Sequence, residues 1–161
     1  MSRRHHQPRL IIATFIVALI LTILPMPEVL QWFRPYWAAM VLIFWCVEAH
    51  EQIGMGSGFF AGLMLDLLTG SLLGQHALSL VIIAYIVGRM RLRMRFFPLW
   101  QQALVVFALL LNDRIIYSWV HALSGRGWPD LKVAWAPLIA MLIWPWLFVL
   151  LDRVRQRSKI R

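Results

Sequence analysis

Six apolar runs follow one another along this chain, and they decide what it can fold into. They are Leu10–Leu24, Trp32–Val47, Ile53–Leu68, Leu72–Gly88, Leu99–Leu123 and Val133–Leu151. A helix that crosses the hydrocarbon core of a bilayer needs about 20 mostly apolar residues. Six such helices would use roughly 120 of the 161 positions. The remainder suffices for short connections and two tails. The expected architecture is an all-α integral membrane protein, a six-transmembrane-helix bundle forming a single membrane domain over residues 1–161. The first run, with its basic start, also has the outline of a signal peptide. However, Pro25-Met26-Pro27-Glu28 follow it instead of a small-residue cleavage site, and five more runs come after. The third run is the least regular, being interrupted by four glycines and Asp66.

Composition narrows the function classes. The chain is 61% hydrophobic and 14% charged, against about 45–50% and about 25% in an ordinary soluble domain. Disorder is excluded by that hydrophobicity. Cys46 is the single cysteine, which excludes a disulfide scaffold. The formal net charge is +9, from 16 Lys+Arg against 7 Asp+Glu. With so little polar surface, this basicity does not indicate a nucleic-acid partner.

Orientation accounts for most of the charge, because Lys and Arg in short loops are retained on the cytoplasmic side. With six spans and both termini cytoplasmic, twelve of the sixteen basic residues fall inside. They are Arg3, Arg4 and Arg9, the cluster Arg89, Arg91, Arg93 and Arg95, and the tail Arg153, Arg155, Arg157, Lys159 and Arg161. Arg34, Arg126 and Lys132 fall outside, and Arg114 lies within the fifth span. The two inner clusters offer surfaces for anionic lipid or for an acidic partner. Trp32, Tyr36, Trp37, Trp119, Trp128 and Trp135 fall near the outer face, and Trp45, Trp100, Trp144 and Trp146 nearer the inner one, as interfacial anchors do.

The polar residues inside the runs are the candidate functional positions. Gly54, Gly58, Gly62, Asp66 and Gly70 recur every four residues, which places them on one slanted ridge of a helix. Small residues at that spacing let another backbone approach closely. The ridge is therefore expected to be a helix–helix contact, either within the bundle or with another chain, and it permits a homodimer. Asp66 must face protein or a wet cavity, since an acid at mid-membrane costs about 2.5–3.5 kcal/mol. The fifth span carries Asn112, Asp113 and Arg114. Asp113 and Arg114 point about 100° apart on a helix. Arg114 is therefore expected to meet Asp66, and Asp113 to bond a hydroxyl or backbone group elsewhere. His50, His76 and His121 share no metal-ligand spacing. No nucleophile triad, Walker or dinucleotide motif is found. No catalytic, cofactor or metal residue is therefore expected.

Several stretches together resemble the MreD family of rod shape-determining proteins. They are Arg34-Pro35-x-Trp37, GSGFFAGLMLDLLTGSLLGQHALS over Gly56–Ser79, LWQQALVVFALLL over Leu99–Leu111, and WPW at Trp144–Trp146 before a basic tail. The motif positions Gly58, Gly62, Asp66, Gly70 and Gly74 are the most specific part. The resemblance implies a non-enzymatic inner-membrane scaffold of the cell-elongation machinery. Its partners would be MreC, MreB, and a RodA-type polymerase with its transpeptidase partner. The family is also distantly similar to the substrate-binding subunits of vitamin (ECF-type) transporters. That similarity supplies the alternative, a small-molecule or lipid-binding transporter subunit with a pocket lined by Trp32, Trp37, Asp66, His76 and Asp113.

Overall fold

The structure, a computed structural model, describes residues 7–25, 27, 34–49, 51–125 and 135–160, excluding the side chains of residues 7, 159 and 160. Those residues form six helices and no strand: α1 Gln7–Ile23, α2 Trp37–Glu48, α3 Met55–Thr69, α4 Gln75–Phe96, α5 Leu99–Leu123 and α6 Trp135–Ile160. Each apolar run yields one helix. By length and composition, two of them, Leu99–Leu123 and Trp135–Ser158, could cross a membrane.

The helix ends depart from the sequence expectation in three places, each with a local cause. Residues 34–36 precede α2 in non-helical conformation, as the residue before a proline disfavours the helical region. Trp32 lies outside the described residues. Leu72–Gly74 form a turn instead of the start of α4, because Gly70 and Gly74 take left-handed conformations with φ of 63° and 96°. The basic stretches after the fourth and sixth runs are helical. α4 continues through Arg89–Arg95, and α6 through Arg153–Arg157. Arginine is a good helix former, and cations suit a helix C-terminus. Pro98 then separates α4 from α5.

α2 is the central strut. Ala38 through Val47 are all buried, as expected of a helix that is apolar all round. α1, α4 and α6 pack on it, α3 lies along α4, and α5 joins α4 to α6. Phe44 stacks edge-on against Trp45 and Phe148, with ring centroids 5.2 and 5.4 Å away. Trp45 and Trp144 are fully buried. Their indole N–H groups donate to Thr14 Oγ1 at 2.9 Å and Gln102 Oε1 at 3.4 Å, so these two are core residues and not interfacial anchors. Trp146 is on the opposite side of α6 and is 81% exposed. With Phe60, Leu67, Leu73 and Leu142, it belongs to an outer surface that is widely apolar.

Candidate functional site

The glycine ridge is the first place where the fold becomes specific. A Cβ on Gly62 would stand 2.3 Å from Ala77 Cα and 2.5 Å from Ala77 N. One on Gly58 would stand 2.8 Å from the Leu80 carbonyl oxygen and 3.4 Å from Ala84 Cβ. Only glycine allows α3 and α4 to approach this closely. Gly58 and Gly62 thus serve contact within the chain, and α4 occupies the face that the sequence also left open to a second copy. Gly54 has nothing within 4 Å of its would-be Cβ and caps the start of α3. Gly70 and Gly74 are the turn glycines already described, so neither continues the packing ridge.

Asp66 staples that turn. The backbone N–H groups of Gly70 and Ser71 donate to its carbonyl oxygen, closing the end of α3. Its carboxylate accepts from Ser71 Oγ at 2.7 Å, and from the N–H groups of Gly74 at 2.8 Å, His76 at 2.9 Å and Ala77 at 3.4 Å. The His76 ring meets it through Nδ1 at 2.8 Å. A carboxylate at these positions satisfies the orphan donors at the N-terminus of α4 and lies at the positive end of its dipole. These local donors, and not Arg114, occupy Asp66. Sequence reasoning missed this pairing, although the signal lay in the turn composition Thr69-Gly70-Ser71 and Gly74-Gln75-His76.

Arg114 stacks instead on aromatic rings. Its guanidinium carbon is 4.1 Å from the centroid of Tyr36 and 5.3 Å from that of Tyr117, a cation–π arrangement. Asp113, 5% exposed, accepts from the Ser79 hydroxyl, which is a hydroxyl partner of the kind expected for it and ties α5 to α4. Asn112 is half-buried and is not part of the cavity wall described next.

A cavity of about 250 Å³ lies where the C-terminal ends of α1 and α3 meet the N-terminal ends of α2, α4 and α6. Arg34, Tyr36, Trp37, Leu65, His76 and Arg114 are in its wall. Arg34 donates through Nη1 and Nη2 to the carbonyls of Thr22 and Leu24, closing the end of α1 with a cation. Of the pocket residues expected from sequence, Trp37 and His76 line it, whereas Asp66, buried behind His76, and Asp113 are not in its wall. Its charged wall is instead Arg34 and Arg114.

The opposite end of the bundle carries the basic clusters. Glu48, at the end of α2 and nearly buried, accepts from Arg155 and lies 3.6 Å from Arg95. Arg155 also holds Asp152 at 2.6 Å. Arg89, Arg93, Arg153 and Arg157 project outward, and Arg91 is half-buried. Among the described residues no group of three His, Cys, Asp or Glu could hold a metal ion.

The family model of the rod shape-determining protein MreD matches residues 2–154. The rod shape-determining protein MreD of Haemophilus influenzae is 30% identical over 150 residues, which cover 93% of this chain and 93% of that one. No solved structure matches the chain. An all-helical chain with a widely apolar surface agrees with that match, which spans nearly its whole length: the chain belongs to the MreD family of rod shape-determining proteins.

Proposed function

We propose that the chain is a non-enzymatic, six-span scaffold of the bacterial inner membrane, with both termini in the cytoplasm. It binds MreC and links MreB filaments to lateral peptidoglycan synthesis by a RodA-type polymerase and its transpeptidase partner. The observation that carries this reading is the family match over residues 2–154. The form of the molecule supports it. A glycine-packed α3–α4 pair and a buried α2 make a rigid body, and the arginine-rich ends of α4 and α6 extend from one end as helices. Those ends suit anionic lipid or an acidic cytoplasmic partner. α1, α2 and α3, of 17, 12 and 15 residues, are shorter than the ~30 Å hydrocarbon core requires.

Photoreactive residues at Phe60, Arg93 and Trp146, all exposed, provide the test in cells. Crosslinks to MreC and rounding of cells on depletion are expected. Depleted cells that stay rod-shaped would overturn the scaffold. The cavity is the observation that favours the transporter-subunit alternative, which requires uptake of a small molecule to depend on this chain.

A further inference from the structure

The cavity holds an excess of donors that the fold does not use. Arg34, Trp37 and Arg114 all line it. Each keeps a buried side-chain N–H with no partner among the described residues: Arg34 Nε, Trp37 Nε1 and Arg114 Nε. Two of these groups are guanidinium, and neither meets a carboxylate among the described residues. The nearby acid, Asp66, is already engaged by Ser71, His76 and three backbone N–H groups. The Thr22 and Thr69 hydroxyls donate to carbonyls of their own helices at 2.7 Å. Buried donors in native proteins are nearly always satisfied. Two cations facing one cavity need a counter-charge that the described chain does not supply.

We propose that this cavity binds a phosphate-bearing anion. Planar guanidinium groups match phosphate oxygens in charge and geometry, and the indole N–H supplies a third donor. Beside these donors and the His76 ring, Pro35, Tyr36, Ala38, Leu65 and Ala136 give the wall an apolar part. That part suits the first carbons of an attached chain or ester. A volume of about 250 Å³ holds a headgroup phosphate but not a whole lipid. Two sources share this chemistry, a phospholipid headgroup and a free phosphate. The cavity lies at the end of the bundle opposite the arginine-rich ends of α4 and α6, so its ligand is separate from any lipid bound there.

The test uses the full chain in detergent. Native mass spectrometry counts retained phosphatidylglycerol, with phosphate-free diacylglycerol as the comparison. In a second arm, inorganic phosphate alone is titrated against thermal unfolding. Wild type is expected to retain one phosphatidylglycerol that Arg114→Gln loses at least tenfold and Trp37→Phe severalfold. Arg93→Gln, at the other end, leaves it unchanged. Trp37→Phe keeps the ring and removes only the N–H, so it separates binding from folding if Arg114→Gln is unstable. Retention of phosphatidylglycerol without a response to inorganic phosphate assigns the site to a lipid headgroup. Saturable stabilisation by inorganic phosphate, lost in the same variants, assigns it to the free ion. Equal retention by wild type, Arg114→Gln and Trp37→Phe, or equal retention of diacylglycerol, overturns the proposal. These outcomes are independent of cell shape and of crosslinking to MreC.

Discussion

Replacing Gly62 with alanine adds a single methyl group where α3 and α4 leave no room. The new Cβ would stand 2.3 Å from Ala77 Cα, 2.5 Å from Ala77 N and 2.7 Å from the His76 carbonyl carbon. Carbon atoms settle at about 3.5–4.0 Å, so the helices must part locally by about 1–1.5 Å. All three obstructing atoms are backbone, so no side chain can rotate out of the way. Overpacking alone costs about 1–3 kcal/mol where side chains can adjust. Parting the helices also stretches the bonds from Gly74, His76 and Ala77 to the Asp66 carboxylate, each of a kind worth about 1.5–3 kcal/mol. The gain in helix propensity from glycine to alanine returns only about 1 kcal/mol. The expected loss is about 3–5 kcal/mol. Cys46 is the single cysteine and is buried, so a thiol-reactive fluorogenic dye reports unfolding of the purified chain in detergent without any added probe. The melting temperature should fall by about 6–20 °C. Gly56→Ala is the control, since a Cβ there meets nothing within 4 Å, and it should match or slightly exceed wild type. If Gly62→Ala melts with Gly56→Ala, α3 and α4 do not approach as described, and the explanation of the four-residue glycine spacing fails.

Two further outcomes follow from the charged groups. Asp66→Asn keeps the shape of the side chain but turns one acceptor oxygen into a donor, so at least one N–H at the start of α4 loses its partner. The same dye assay should show a loss of about 2–3 kcal/mol, and Ser71→Ala about 1 kcal/mol. Wild-type stability in Asp66→Asn would show that the staple contributes nothing. Arg155→Gln leaves the nearly buried Glu48 with Arg95, 3.6 Å away, as its remaining cation among the described residues, and should cost about 1–3 kcal/mol. Arg95→Gln, which alters a half-exposed partner, should cost less than about 1 kcal/mol. The reverse ranking in denaturant titrations would reject the clasp.

Hydropathy made the helices legible, because an apolar run of this length has few alternatives to a helix. It could not place their ends. The arginines of α4 and α6 look like loop residues to a hydropathy window, yet they extend the helix, as their propensity and position at its C-terminus favour. Leu72 and Leu73 look like helix, yet the positive φ values of Gly70 and Gly74 turn the chain there. The site was legible in part. Asp66, Asp113 and Arg114 stood out as charges that need an explanation at membrane depth. The hydroxyl partner of Asp113 was foreseen as a type, though not as Ser79. The partner of Asp66 was misassigned because pairing by opposite charge ignores the dense local donors of a tight turn. Arg114 found Tyr36, a residue far away in sequence that no spacing rule connects to it.

The two ends of the bundle treat arginine in opposite ways, and that difference bears on how a scaffold could work. At the end formed by the last turns of α2, α4 and α6, the carboxylates of Glu48 and Asp152 hold Arg155, while Arg89, Arg93, Arg153 and Arg157 face outward. Charges placed there can exchange one anionic surface for another without disturbing the core, since few buried contacts depend on them. At the far end, Arg34 closes α1 and Arg114 is packed against Tyr36 and Tyr117. An anion bound there would touch side chains that also fix where α1, α2 and α5 meet. Binding at the first end changes what the protein is attached to. Binding at the second would change the stability of the bundle itself, because a ligand stabilises whichever arrangement it contacts best. For a protein whose proposed role is to hold partners on both sides of a membrane, the cavity is therefore the place where occupancy would be felt by the bundle, through the junction of α1, α2 and α5.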